Sequence, residues 1–359
     1  MFVLKTILRY ILYYLPLYPC KVYPMYKNNH RVCLLFRHFF LSLLFIILVP
    51  SASAEKLCAI YPHLKDSYWL SINYGMVSEA EKRGIKLRIM ESGGYHNKSR
   101  QEEQLALCQK WGADAILLGT VGPDAFKNNL GTLVGGIPVF TIVNKLNLDG
   151  SQKKYLKGQV GIDWYWMGHE VGKYLAQKHP KGSGRTDIAL LLGPRTKGGT
   201  KPVTEGITEA IKNSDIKVKY TYWADNDKEL QRNLIQHIID TDNIDYIVGS
   251  AVAIEAAISE LRTSQKAKEV GLVSVYLSHG IYRGLIRNKV QFAATDNMVK
   301  QGRTSVIQAL QYLRGEAYQE QISLPIQPLT PDSLSKHTIE SSLSPSEYRP
   351  IFNVSPLSP

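Results

Sequence analysis

Aromatic side chains at the ends of short apolar runs are the residues of this chain best suited to chemistry. Tyr68 and Trp69 follow the run 57–61, Tyr95 follows 86–91, Trp164, Tyr165 and Trp166 follow 160–162, and Tyr276 follows 270–275. Ring faces carry negative potential, so several of them around one space suit an apolar or methylated cationic head. Asp66, Ser67, Asn144, Asp163, Asn226 and Asp296 stand at comparable positions and could hydrogen-bond a polar end of the same ligand. The competing reading of any single ring is that it packs a hinge or a helix start.

Bond-making constellations are missing from the sequence. Gly193-Pro-Arg-Thr-Lys-Gly198-Gly199-Thr200 follows a strand and precedes a helix as a phosphate loop does, but Gly199 stands where the lysine is needed. It reads instead as a glycine-rich turn that lets a ligand or a neighbouring lobe approach the backbone. There is no G-x-S-x-G elbow, His169-Glu170 lacks the second histidine of a zinc-protease helix, and no Cys/His cluster has metal spacing. The acid pairs Asp225/Asp227 and Asp240/Asp242 suit helix caps and turns. The expectation is a binding protein rather than an enzyme, with no cofactor and no metal.

These residues must be held by an α/β fold. Apolar runs at 57–61, 86–91, 115–118, 139–143, 160–162, 188–192, 218–223, 246–248, 270–275 and 292–294 read as strands, with helical segments between most of them. The segments 68–83 and 99–111 are the clearest helices, the second presenting Leu105, Cys108 and Trp111 on one face. This alternation implies parallel sheets covered on both sides. Two runs of about five strands predict two doubly wound parallel-sheet lobes. A closed barrel would need eight even units and charged groups at several strand ends. The first run ends in a loop that puts Asp66 to Trp69 at the carboxyl end of its strand, where open sheets bind ligands.

The chain before Glu55 reads as a leader. Lys27, Arg31 and Arg37 precede the apolar run 39–49, which ends in Pro50-Ser-Ala-Ser-Ala54, the pattern of a secretory signal peptide. At about 11 residues the run is shorter than the roughly 18–20 needed to span a bilayer. Residues 1–24 read as an over-extended start, with Met25 opening a leader of ordinary length. Residues 1–54 carry Lys5, Arg9, Lys21, Lys27, Arg31, Arg37 and no acid, so the formal charge falls from +12 to +6 after cleavage. The remaining bases are scattered among acids without an aromatic-studded stripe, which argues against nucleic-acid binding. Cys58 and Cys108 remain for an oxidising compartment, as a disulfide or as two buried thiols.

Three blocks carry a resemblance: Leu57-Cys-Ala-Ile-Tyr-Pro-His-Leu-Lys-Asp-Ser-Tyr-Trp-Leu70, Gln109-Lys-Trp-Gly-Ala-Asp-Ala-Ile-Leu-Leu-Gly119 and Tyr276-Leu-Ser-His-Gly-Ile-Tyr-Arg-Gly284. From about Leu57 to Pro345 the chain resembles the periplasmic binding proteins of the ribose-binding and LacI-like type. The blocks are similar to members that sense trimethylamine N-oxide (TMAO) with a membrane histidine kinase and so control TMAO respiration. The resemblance implies two lobes joined by a three-strand hinge, the first from residues 55–160 and 277–294, the second from 161–276 and 295–359. It implies a periplasmic location and an aromatic cage of Tyr68, Trp69, Trp164 and Tyr276, with Tyr95 beside them. The N-oxide oxygen needs a donor, for which an indole N–H, a tyrosine hydroxyl, Asn144 or a backbone N–H would serve. Asp66 is assigned to the helix cap or to the positive end of the ligand. The alternative is a sugar or autoinducer-type binding protein of an ABC transporter, whose relatives line the pocket with Asp, Asn and Arg. Arginine is sparse at these strand ends, Arg195 and Arg283 being the exceptions. The proline-broken tail after Leu313 is expected to wrap one lobe.

Overall fold

The structure, a computed structural model, describes residues 54–195, 199–241 and 243–356. The expected leader, apart from Ala54, lies outside the described residues. In chain order the first elements are β1 (Lys56–Tyr61), α1 (Ser67–Arg83), β2 (Lys86–Glu91), α2 (Lys98–Trp111), β3 (Ala115–Leu118), α3 (Leu130–Val134), β4 (Val139–Val143) and β5 (Leu156–Gly161). There follow α4 (Trp164–Lys178), β6 (Thr186–Leu191), α5 (Thr200–Ile211), β7 (Ile216–Tyr222), α6 (Lys228–Thr241), β8 (Tyr246–Gly249), α7 (Ala251–Thr263), β9 (Gly271–Ser274), α8 (His279–Ile286) and β10 (Phe292–Thr295). The last part holds α9 (Met298–Leu313), β11 (Gln321–Ser323), β12 (Gln327–Leu329), α10 (Lys336–Ser342) and β13 (Asn353–Val354).

The strands pair into two sheets, β11-β5-β4-β3-β1-β2-β13 and β12-β10-β9-β8-β6-β7. Within β1 to β5 and within β6 to β10 every pairing is parallel, whereas β12 and β13 join antiparallel. Both sheets thus have the same doubly wound order, and each reverses winding direction beside its first strand. The loops leaving β1 and β6 part there and open a crevice. All ten predicted strands form. The start of β5 carries no apolar run, since Lys157 and Gln159 are polar, Gly158 has no side chain and Leu156 is only half-buried, which is tolerated where the outer neighbour is only the short β11. β1 shows why continuous apolar runs meant buried strands: Leu57, Ala59 and Tyr61 enter one core cluster while Cys58 and Ile60 enter the other.

Sheet membership corrects the lobe boundaries. Residues 277–294 were expected in the first lobe and 295–359 in the second, but β10 pairs with β9 in the second sheet and α9 packs on α1, β3, β4 and β5 of the first. The reason is the parallel crossover from β9 through α8, which returns the chain beside β9. A strand's residues do not say which sheet it will join. The chain passes between lobes at 161–164, 295–298 and 323–327, then returns to the first lobe through α10 and β13. The tail does more than wrap one lobe, since β11 and β13 extend the first sheet and β12 the second.

Two local features hold the site's supports in place. Cys58 and Cys108 form a disulfide with Cα atoms 5.7 Å apart, tying β1 to α2 across a sequence separation of 50. Replacing both by alanine should lower the unfolding free energy by about 2–4 kcal/mol, because the unfolded chain regains the loop entropy. Urea unfolding without reductant would read this, and an unchanged midpoint would count against it. Helices α4 and α5 cross with their backbones in contact: a Cβ at Gly168 would lie 2.1 Å from the Val203 carbonyl oxygen, and one at Gly206 2.0 Å from that of Tyr165. Among the described residues no helix is long and apolar enough to cross a membrane.

Candidate ligand-binding site

Helix caps aim the aromatic residues. Asp66 accepts from the Trp69 backbone N–H at 3.2 Å, which starts α1 and sets Tyr68 and Trp69 in its first turn. Asp163 accepts from Tyr165 N–H at 2.9 Å and starts α4 with Trp164. Tyr276 follows β9, and Tyr95 stands in the loop after β2. Tyr68 lies edge-on to Tyr276 and Trp69, with centroids 5.3 and 6.0 Å away, and 6.2 Å from Trp164. Trp69 stacks on Tyr61 at 5.4 Å, and its Nε1 donates to the Tyr95 hydroxyl at 3.2 Å.

The tertiary fold therefore brings Tyr68, Trp69, Tyr95, Trp164, Tyr276 and Asp66 onto one cavity of about 50 Å³. At roughly 10–15 Å³ per water-sized site, that is room for only a few non-hydrogen atoms. Asp66 and Asn226 also line the wider polar mouth of the cleft, beside Lys65, Lys228 and Arg283. Burial raises the hydroxyl pKa of Tyr68 and Tyr276 well above the usual range and pushes Tyr95 up to about 12, so all three phenols stay neutral. The Trp69 indole N–H is occupied by Tyr95, whereas Trp164 Nε1 is buried and makes no hydrogen bond. That leaves an indole donor in the cage wall beside ring faces that favour a cation.

Several expected polar contacts are used elsewhere. Asn144 does not line the cavity: its Nδ2 donates to the Thr120 carbonyl at 2.9 Å, and its side chain neighbours the Tyr95 hydroxyl. It is buried, following directly on the end of β4. Ser67 Oγ accepts from His279 N–H at 3.0 Å across the lobes, and Asp163 is spent on its cap. Tyr165 and Trp166 turn away, Trp166 being 51% exposed and packed edge-on against Tyr165 and His169. Successive residues of a helix point about 100° apart, so three adjacent rings cannot all face the cage.

Leu192, Pro194, Gly199, Thr200 and Val203 form a further wall, of which the sequence offers only the glycine-rich turn, read as a place where a ligand or a neighbouring lobe comes close. A Cβ at Gly199 would lie 2.1 Å from Trp164 Cγ, so the indole rests on bare backbone. Gly199 is thus a seat for Trp164. Its position after the first strand of the second sheet was the available signal.

Asp296 lies behind the cage. It is fully buried, accepts from the Tyr68 hydroxyl through Oδ2, and takes a second bond from Gln301 Nε2 at 2.7 Å. Burial pushes its carboxyl from 3.8 up to about 6, against the opposing pull of the Tyr68 and Gln301 bonds. A raised folded-state pKa means the folded protein holds this proton more tightly than the unfolded chain. The associated stability is present below the unfolded value and is lost as pH rises to about 6. Melting temperatures across that interval should fall more for the natural protein than for Asp296→Asn, and parallel curves would contradict the assignment.

Two doubly wound lobes meet around a small cavity lined by aromatic residues. Residues 54–350 match the periplasmic binding proteins and sugar binding domain of LacI family, and the chain belongs to that family. Over 304 residues it is 42% identical to periplasmic protein TorT of Escherichia coli (strain K12), covering 83% of this chain and 84% of that one. Two solved structures of the TorS sensor domain–TorT complex match with a TM-score of 0.79 over 83% of this chain and 99% of the other. The one in the absence of ligand is 68% identical and the one in the presence of TMAO 69%. An ABC transporter solute binding protein from Bradyrhizobium sp. BTAi1 with bound bis-tris matches at 31% identity and a TM-score of 0.71, over 84% of this chain and 90% of that one.

Proposed function

We propose that this protein is a periplasmic sensor that holds TMAO between its lobes and reports it to the sensor domain of a TorS-type histidine kinase. The observation that carries the reading is the cage itself: five aromatic residues around a cavity of about 50 Å³, with one buried indole N–H unpaired. TMAO has three methyl groups on a formally positive nitrogen, which suit the ring faces. Its oxygen is a compact anionic acceptor, which suits Trp164 Nε1. A hexose is larger and would need several polar partners in place of the rings. The leader over residues 1–54 would deliver the protein to the periplasm, and identity to TorT proteins solved with a TorS sensor domain supports the kinase as partner. Ligand would act by binding one lobe arrangement better than another.

Calorimetric titration with TMAO, alone and with the kinase sensor domain present, tests the reading. Saturable binding is expected, and Trp164→Ala should weaken it by roughly tenfold to a hundredfold through the lost hydrogen bond and ring face. Binding of a sugar but not of TMAO in either mixture would replace this reading with solute transport.

A further inference from the structure

Asp296 sits where the chain leaves β10 and crosses into the first lobe. Its neighbours on both sides are tied to other segments. Thr295 Oγ1 donates to Ser342 Oγ at 2.8 Å on α10, and Asn297, in the left-handed region at φ 58°, donates through Nδ2 to the Pro325 carbonyl at 3.0 Å. Residues 295–297 therefore join two of the lobe crossings and the tail helix. Asp296 is the member of this knot that reaches the cage, because its Oδ2 holds the Tyr68 hydroxyl while Oδ1 has no partner. Tyr68 comes from α1 of the first lobe and touches Trp69, Trp164 and Tyr276.

We propose that Asp296 is a positioning residue: through the Tyr68 hydroxyl it sets the central ring of the cage and couples that ring to the hinge. The proposal rests on the cage reading above and extends it to a residue that does not touch ligand. A carboxylate accepting from the phenol makes the ring face more negative and so a better wall for a methylated cation. Protonated, Asp296 polarises the ring less. The titratable groups acting on this assembly are Tyr68 and Asp296 themselves, Tyr95 on Tyr68, and Asp66, Tyr95 and Glu255 on Tyr276. Gln301 is the uncharged partner on α9.

The test uses the purified protein and two readouts from about pH 5 to about pH 8. In calorimetric titration with TMAO, the natural protein should bind several-fold more tightly at the neutral end. Asp296→Asn should bind roughly tenfold more weakly at neutral pH and lose the pH dependence. Tyr68→Phe keeps the ring but breaks the link, and should lose the pH dependence too. In ligand-free protein, emission from Trp69 and Trp164 beside Tyr68 should show a pH transition that both variants lack. Variants that keep the natural affinity and pH profile would overturn the proposal. If the natural protein takes up no TMAO at any pH, the ligand reading falls and emission decides: a transition confined to the natural protein supports the coupling, and one shared by all three or absent from all overturns it. Should Asp296→Asn fail to fold, Tyr68→Phe carries the comparison alone.

Discussion

Trp69→Ala is expected to abolish saturable TMAO binding and to lower the unfolding free energy by about 3–5 kcal/mol. Trp69 is only 1% exposed, stacks on Tyr61, meets Tyr68 at its edge and holds the Tyr95 hydroxyl. Truncation removes one wall of the cage, leaves a void against the core of the first lobe and takes away the indole donor to the Tyr95 hydroxyl. Both losses come from one side chain because the indole is at once core and site. Trp69→Phe separates them: it refills much of the void, so most of the stability should return, while Tyr95 still lacks its donor and affinity stays roughly tenfold down. Urea unfolding beside calorimetric titration measures the two effects. Natural affinity in a folded Trp69→Ala protein would remove this residue from the site.

Gly168→Val should cost about 3 kcal/mol and also remove binding, although Gly168 does not line the cavity. The position of a Cβ there, 2.1 Å from the Val203 carbonyl oxygen, is occupied by backbone, which cannot rotate away as a side chain can. The variant must push α5 off α4, and the displacement acts on Trp164, Thr200 and Val203, which form one side of the cage. Lys173→Ala, on the exposed side of the same helix, should change neither stability nor affinity measurably. Comparing the pair by thermal unfolding and TMAO titration distinguishes a packing effect from any general sensitivity of α4. A Gly168→Val protein with natural stability would show that the crossing can relax.

The two parallel sheets and the aromatic character of the site were legible in the residues alone. Continuous apolar runs such as 115–118 and 139–143 are too short for helices and fit strands covered on both faces, so β3 and β4 were legible to the residue. The strand–loop–helix pattern at 57–83 puts the loop at the carboxyl end of its strand, which is why Tyr68, Trp69 and Asp66 could be singled out from the sequence. Long-range packing supplied whatever depends on distance between segments far apart in the chain. It settled that Cys58 meets Cys108, and that β10 joins β9 while α9 covers the first sheet. It settled that Trp164, not Tyr165 or Trp166, turns inward onto Gly199, and that Asn144 is spent on Thr120. It also brought Asp296 to Tyr68, 228 positions away. Local pattern reports which face of an element is buried; which partner fills that face is set by long-range packing, and the chemistry of the cage depends on the partner.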